Sequence, residues 1–265
     1  MAYTEYIIEK TANNRIAIIC DVHNCHIKWY DIENDTRMGY LCEHLNERFE
    51  YEPYDAILGL GDYSLDFWGW CEGGSYLWNP SVSNTEDFVK RFCTQFPTKS
   101  YLIPGNHEQY GEEKWEKITG VKREFALVYG DKVFAMCDTF GGDLDPTENS
   151  DGTYTGINTE FLKEVLARHK DKKVYLCLHD LIIENESEEA RKLLCENENI
   201  VCAFAGHIHR SITKILPDEW RNLPVFYCGG FGFSNGTNWG FRVIDFNFAD
   251  SEICADYVPY KKVKF

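Results

Sequence analysis

Five apolar runs, each followed at once by polar residues of the metal-ligating type, constrain this chain most. The runs are residues 16–20, 56–60, 100–103, 174–178 and 200–205. Continuous apolar runs of this length are typical of strands that are buried on both faces. Because ligands gather at the carboxyl ends of strands in open α/β sheets, we expect the polar residues after the five runs to meet in one place.

The residues that follow these runs are Asp, Asn and His. They are Asp21, His23, Asp62, Asn106, His107, His179, His207 and His209. A single histidine at a strand end is more often a hydrogen-bonded core or surface residue than a ligand. Five of the eight histidines lie at strand ends, so each of the five would have to be an ordinary hydrogen-bonded core or surface residue if none were a ligand.

The residue types indicate a particular chemistry. Imidazole with carboxylate suits Zn, Mn or Fe, and the lack of thiolates argues against a structural zinc site. The ligand set is too large for one ion and fits two that share one carboxylate. Two ions about 3.5–4 Å apart would clamp the attacking and leaving oxygens of an in-line displacement at phosphorus. They would also lower the pKa of a bridging water, so that hydroxide attacks near neutral pH.

Length and patterning predict one α/β domain over residues 1–265. The chain is 44% apolar, enough for a sizeable globular core. Helical spacing follows the first run at 38–49, and Ser83 with Glu86 forms a capping box for a helix to about Phe96. We expect the C-terminal part, from 211 to 258, to form a second, more antiparallel sheet. The predicted architecture is two sheets packed face to face with helices outside.

The net charge of −16 argues against extended nucleic acid and anionic membranes as partners. A phosphorylated substrate then needs a local positive centre, which metal ions supply. No apolar stretch approaches the length of a membrane span, and the N-terminus lacks the features of a signal peptide. The eleven cysteines show no disulfide framework and no CxxC pair. We therefore expect reduced thiols and a cytoplasmic location.

The order of the motifs resembles that of the calcineurin-like metallophosphoesterases. The matching blocks are Asp21-x-His23, Gly61-Asp62, Gly105-Asn106-His107-Glu108, His179 and Gly206-His207-x-His209. The resemblance spans residues 16–209. It implies a four-layer αββα sandwich of two mixed sheets and two divalent ions drawn from Mn, Fe, Zn or Ni.

The resemblance also implies how the ligands divide between the ions. The first ion would be held by Asp21, His23 and His209. The second would be held by Asn106, His179 and His207. Asp62 would bridge the two.

Four further residues receive roles. The resemblance implies that His107 is the general acid for the leaving oxygen, or stabilises the transition state, and that Glu108 orients it. His26 and Arg210 lie beside motif residues, and we consider them as substrate contacts. The substrate would be a small phosphomonoester or phosphodiester.

This chain departs from the family pattern at several positions. Asn24 replaces the glycine that often follows Asp-x-His. The carboxylate that often lies three residues after the bridging aspartate is replaced by Leu65, and Asp66 comes one residue late. The arginines that clamp phosphate in protein Ser/Thr phosphatases are also missing, which makes that activity less expected.

Three other functions stay open from the sequence. The first is a catalytically silent scaffold of the same fold, which the intact set of ligand positions disfavours. The second is a nuclease on short nucleic acids, and the third is a hydrolase with a single metal ion. The aromatic segment at 63–80 is either a wall of the substrate site or a packed surface loop.

Overall fold

The structure, a computed structural model, describes residues 3–25, 33–67, 83–142, 152–230 and 240–247, and the backbone of 254–259. Its strands are β1 (Glu5–Ile7), β2 (Arg15–Ile19), β3 (Ala56–Leu60), β4 (Ser100–Ile103), β5 (Phe125–Tyr129), β6 (Lys132–Cys137), β7 (Lys173–Leu178), β8 (Ile200–Ala205), β9 (Thr213–Ile215), β10 (Pro224–Tyr227), β11 (Gly240–Asp245) and β12 (Cys254–Pro259). Its α-helices are α1 (Asn34–Tyr51), α2 (Asn84–Asp87), α3 (Glu112–Thr119), α4 (Thr159–Arg168) and α5 (Glu188–Glu196).

The strands form two mixed sheets. One has seven strands in the order β1-β5-β6-β7-β8-β10-β9, and the other has five in the order β12-β11-β2-β3-β4. Strands β2, β3 and β4 run parallel to one another, and so do β6, β7, β8 and β10. The parallel strands that precede the predicted ligands therefore lie side by side, three in one sheet and two in the other.

Two apolar clusters flank the seven-stranded sheet. On its inner face, Phe134 and Phe204 pack with Ile16 and Leu58 of the five-stranded sheet, so this cluster lies between the sheets. On its outer face, the cluster joins the sheet to helices α4 and α5. Strand side chains alternate between the two faces because the side-chain period of a strand is two residues.

A third cluster covers the outer face of the five-stranded sheet. Ala17 and Ile19 of β2 pack there with Met38 and Leu41 of α1. The neighbouring positions Ile16 and Ile18 belong to the cluster between the sheets. The four layers of helix, sheet, sheet and helix confirm the predicted αββα architecture.

The predicted arrangement of the C-terminal strands is wrong. They do not form a sheet of their own, because β10 pairs in parallel with β8 and β9 lies outside it, whereas β11 pairs with β2 and carries β12. An apolar pattern shows that a strand is buried but does not select its neighbour. Strand β10 pairs with β8, which lies about 20 residues earlier in the chain, whereas β11 pairs with β2, which lies more than 220 residues earlier.

The helix predicted from Ser83 begins as expected and then changes geometry. The Ser83 hydroxyl accepts a hydrogen bond from the Glu86 backbone N–H, which caps α2. The chain continues as a π-helix over Phe88–Phe92 and a 3-10 turn over Cys93–Gln95. In this arrangement both Phe88 and Phe92 are buried.

Some expectations stay predictions. The assignment of residues 1–265 to one domain is among them, and most of the aromatic segment at 63–80 lies outside the described residues. Every cysteine whose side chain is described is a free thiol. Within the described ranges, no helix combines the length and the apolar composition needed to cross a bilayer.

We predict that Ile16→Ala lowers the free energy of unfolding by about 2–5 kcal/mol, because it opens a cavity between the two sheets. Ile16 is fully buried, whereas Ile7 on the edge strand β1 is 74% exposed. The same substitution at Ile7 should change stability by about 0.5 kcal/mol or less. Urea denaturation of both variants measures the difference. Equal effects would contradict the described layering.

Candidate metal centre

The five strand ends meet at one edge of the sandwich. Three groups of side chains there place potential ligand atoms within 4.8 Å of one another. The groups are Asp21, His23 and His209; His23, Asp62 and His107; and Asp62, His179 and His207. The prediction that the polar residues after the five strands meet in one place therefore has a geometric counterpart in the structure.

Asp62 lies at the centre of this arrangement. Its Oδ2 atom is 3.6 Å from His23 Nε2, 3.6 Å from His107 Nε2 and 3.2 Å from His179 Nε2. His23 and His107 follow strands of the five-stranded sheet, and His179 follows a strand of the seven-stranded sheet. One carboxylate oxygen thus faces imidazoles from both sheets, as a bridging ligand must.

The first group of ligands lies on one side of Asp62. His209 Nε2 is 3.2 Å from Asp21 Oδ1, and the rings of His23 and His209 are 4.9 Å apart. His23 Nε2 is buried and has no hydrogen-bond partner within the part of the chain that the structure describes. A buried nitrogen without a partner is costly, and a metal ion held by these side chains would satisfy it.

The second group lies on the other side. Asn106 Oδ1 is 3.0 Å from His179 Nε2 and 3.1 Å from His207 Nδ1. His179 Nδ1 lies 2.6 Å from the Leu60 carbonyl oxygen, to which it donates when it carries the proton. That hydrogen bond leaves the Nε2 lone pair for a ligand. An amide oxygen and two imidazole nitrogens therefore converge here with Asp62, which fits a second divalent ion.

The charges of the centre are strongly coupled. Burial would raise the pKa of Asp62, but the neighbouring His107 and His179 lower it well below its usual range. Burial would lower the pKa of His179, yet Asp62 raises it to about 10. Burial, with His209 and His107 nearby, lowers the pKa of His23 to about 4. Near neutral pH His23 is thus ready to bind a cation, and a cation at His179 must displace a proton.

The ligand positions share an uncommon backbone conformation. Five of them, which are Asp21, His23, Asp62, His207 and His209, have positive φ values between 51° and 64°. Residues other than glycine seldom adopt this left-handed region, although Asp, Asn and His do so more often than most. Strained backbone of this kind persists where the surrounding structure holds it, and it is concentrated at functional sites.

Neighbouring loops hold these conformations through close backbone contacts. The Val22 and His23 N–H groups both donate to the Asp62 carbonyl oxygen, at 2.7 and 3.0 Å. Gly105 lies so close to the same loop that an added Cβ would be 2.2 Å from Asp62 Oδ1 and 2.6 Å from its backbone nitrogen. The close contact with Asp62 thus requires a glycine before Asn106.

His107 faces the centre, whereas Glu108 lies beneath it. The His107 backbone N–H donates to Asp62 Oδ1 at 3.1 Å. The Glu108 carboxylate accepts hydrogen bonds from the backbone N–H groups of Asp62, Ser64 and Gly105, at 2.8, 3.0 and 2.9 Å. The Glu108 hydrogen bonds therefore hold the backbone of the loops that carry the candidate ligands. Glu108 can affect the orientation of the His107 ring only through this backbone.

Asp66, the acid displaced by one position, serves another purpose. It is buried and accepts hydrogen bonds from the Asn84 and Thr85 backbone N–H groups and from the Tyr110 hydroxyl. Asp66 thus ties the start of α2 to the segment after Glu108. Asp66, which comes one residue later than the carboxylate of the family pattern, therefore has a structural role.

Sequence reasoning gave no role to Asp180. Its Oδ2 atom lies 3.9 Å from His207 Nε2, the ring nitrogen that points away from Asn106. Carboxylates behind metal-binding imidazoles commonly fix the ring orientation. Its position directly after His179, a predicted ligand, is the feature of the sequence that could have identified Asp180. Of the two proposed substrate contacts, Arg210 is exposed beside His209, and His26 lies outside the described residues.

Solved structures that share the fold include two phosphatases and one anchor protein. A dimetal phosphatase from Danio rerio matches with a TM-score of 0.62 at 12% identity, covering 87% of this chain and 92% of that one. GAP50, the anchor in the inner membrane complex of Plasmodium, has a TM-score of 0.56 at 13% identity, with 94% and 85% covered. Purple acid phosphatase PPD1 from yellow lupin has a TM-score of 0.54 at 15% identity, with 87% and 49% covered. A search of curated protein sequences returned no significant match.

The fold and the clustered side chains agree with the class that the sequence profile identifies, the metal-dependent phosphoesterases. The sequence profile of the calcineurin-like phosphoesterases matches residues 14–211, and the chain belongs to this family. Membership implies a centre of two divalent ions. The metal identity and the substrate are separate questions.

We predict that Gly105→Ala removes at least one bound ion and most activity, because its Cβ would displace Asp62. Titration with Mn²⁺ measures the stoichiometry. The matched control is Gly39→Ala in helix α1, where an added Cβ meets no atom within 4 Å. This control should bind metal normally and be more stable by about 1 kcal/mol. Normal metal binding by Gly105→Ala would contradict the described contact.

Proposed function

We propose that this chain hydrolyses the phosphoester bond of a small phosphomonoester or phosphodiester, with two divalent ions that Asp62 and the surrounding side chains would hold. The observation that carries the proposal is the position of Asp62 Oδ2, within 3.6 Å of imidazole nitrogens from both sheets. The buried His23 Nε2 also supports it, because this nitrogen has no hydrogen-bond partner among the described residues and a bound ion would satisfy it.

Two bound ions supply a nucleophile derived from water and stabilise the negative charge of the transition state. The protein side chains fix where this chemistry occurs. Asp21, His23 and His209 form one face of the site, and Asn106, His179 and His207 form the other. Asp62 joins the two faces and thereby sets their spacing.

We assign proton transfer to His107. Its Nε2 lies at the edge of the centre, 3.6 Å from Asp62 Oδ2, and its backbone N–H is fixed by the other oxygen of the same carboxylate. From this position a protonated imidazole can donate from Nε2 to the leaving oxygen, which makes departure of the alcohol easier.

Charge favours a small substrate. The chain carries a net charge of −16, which repels an extended polyanion. A centre with two divalent ions and two ligand carboxylates would be locally positive, and that is where a phosphoryl group would bind. We therefore favour a small phosphorylated molecule over nucleic acid. The arginines that clamp phosphate in protein Ser/Thr phosphatases have no equivalents in the motifs of this sequence, so a phosphoprotein is also disfavoured.

A silent scaffold is the alternative. The likeness to GAP50 concerns the fold alone, but it shows that this fold occurs in a protein described as an anchor. A scaffold that had lost catalysis would tolerate changes at the ligands. In this chain the potential ligands from all five strand ends lie together and are largely buried, which supports the enzyme.

The test is hydrolysis of a chromogenic phosphomonoester and its bis-ester by metal-stripped protein, with Mn²⁺, Zn²⁺, Fe²⁺ or Ni²⁺ added back. We expect turnover only with added metal, and the ratio of the two rates separates phosphatase from phosphodiesterase. Asp62→Asn, prepared identically, controls for contaminating enzymes. Two bound ions without turnover of any phosphoester would support the scaffold, and a single bound ion would overturn the dinuclear centre.

We further predict that His107→Ala binds two ions but turns over about 10²–10⁴-fold more slowly, because the leaving oxygen loses its proton donor. Metal content and turnover are measured on the same preparation. His207→Ala provides the contrast, since we expect it to lose an ion. Loss of an ion from His107→Ala would make His107 a ligand, consistent with its place in the group with His23 and Asp62.

A further inference from the structure

A buried arginine lies behind the loop that carries Asp21 and His23. Arg37, in the first turns of α1, is fully buried. Its Nη1 donates to the Val22 carbonyl oxygen at 2.6 Å, and its Nη2 donates to the His23 carbonyl oxygen. These carbonyls belong to a loop whose left-handed residues take it out of the sheet, so they need donors from elsewhere.

The same loop is held from a second direction. Asn24 Nδ2 donates to the Asn84 carbonyl oxygen at 2.8 Å, and Asn34 Nδ2 donates to Asn24 Oδ1 at 2.7 Å. Arg37 Nη2 also donates to Asn34 Oδ1, at 2.9 Å. Asn24, which replaces the glycine common in the family, therefore links the ligand loop to α1 and to α2.

A second buried arginine holds another ligand loop in a similar way. Arg123 is 5% exposed, and its Nη1 donates to the Glu108 carbonyl oxygen at 2.9 Å and to the Tyr110 carbonyl oxygen. Its Nε donates to Asp138 Oδ2 at 2.7 Å, which fixes the guanidinium. The loop that it holds begins with Asn106 and His107.

We propose that Arg37 and Arg123 are positioning residues, one for each metal ion. Arg37 fixes the loop of Asp21 and His23, and hence the first ion. Arg123 fixes the loop of Asn106, and hence the second ion. The inference rests on the proposed dinuclear function, but it assigns a division of labour to residues outside the ligand set.

The chemistry of the side chain explains the choice of arginine. A planar guanidinium presents several N–H donors in a rigid fork, so it can hold two carbonyl oxygens of one loop in a fixed relation. The compact ammonium group of lysine, on its flexible stem, does not hold two carbonyl oxygens in such a fixed planar arrangement. A ligand displaced by a small distance binds metal less well, and supporting residues of this kind typically contribute about 10–100-fold in metal affinity.

The experiment places each arginine variant in two backgrounds that retain one ion each. His209→Gln removes a ligand of the first ion, and His207→Gln removes a ligand of the second. Mn²⁺ alone is the probe, and free Mn²⁺ is measured by electron paramagnetic resonance. In the His207→Gln background, Arg37→Met should weaken binding about 10–100-fold, whereas Arg123→Met should change it by about twofold at most. In the His209→Gln background the pattern should be reversed.

Each arginine variant is the control for the other, and melting temperatures of the metal-free proteins report folding. A purely structural role predicts lower melting temperatures with equal Mn²⁺ affinities, and this result would overturn the inference. So would equal losses in both backgrounds. If Arg37→Met does not fold, Asn24→Gly and Arg37→Lys test the same loop. Both should selectively weaken binding of the first ion, in the His207→Gln background and not in the His209→Gln background.

The proposed function is tested separately by the unsubstituted protein, which should bind two Mn²⁺ ions. Two ions in that protein, with no selective effect of either arginine, would overturn the positioning roles alone. Fewer than two ions would overturn the dinuclear function and the arginine assignment together.

Discussion

A single buried carboxylate, Asp62, is the constraint on which the rest of the structure depends. It is 1% exposed and faces three imidazoles that arrive from two sheets. An isolated buried charge is very unfavourable, so Asp62 needs polar partners. They include the His179 imidazole, whose pKa Asp62 raises to about 10, and the His107 backbone N–H. The lowered pKa of Asp62 and the raised pKa of His179 are two consequences of this one contact, which links the edges of the two sheets.

The loops around Asp62 are held by interactions that do not involve the ligand atoms. Glu108 binds three backbone N–H groups beneath the centre, Gly105 permits the close approach of two loops, and Arg37 and Arg123 bind loop carbonyls from behind. These contacts maintain left-handed backbone at ligand positions where the conformation is unfavourable by itself. The protein framework therefore contributes to the order of the site through contacts other than those of the ligand atoms.

Part of this could be predicted because it depends on local pattern. Apolar runs of strand length located β2, β3, β4, β7 and β8, and the polar residues after them identified the candidate metal ligands, which are His, Asp and Asn. The pairing of the last strands could not be predicted in the same way, because β10 and β11 look alike as buried strands yet join different sheets. Likewise, the sequence did not show that Glu108 binds backbone or that Asp66 caps a helix, since both depend on chain segments distant in sequence.

The sequence by itself determined which candidate ligands follow the buried strands, their order along the chain and their ligand atoms. That information is local, because burial and strand length are written in short stretches of apolar residues. Only the tertiary structure decided that Asp62 is central, that Arg37 and Arg123 lie behind different ligand loops, and that Asp180 faces His207. Asp62 and His179 follow strands of different sheets, so their contact is created only when the two sheets pack together.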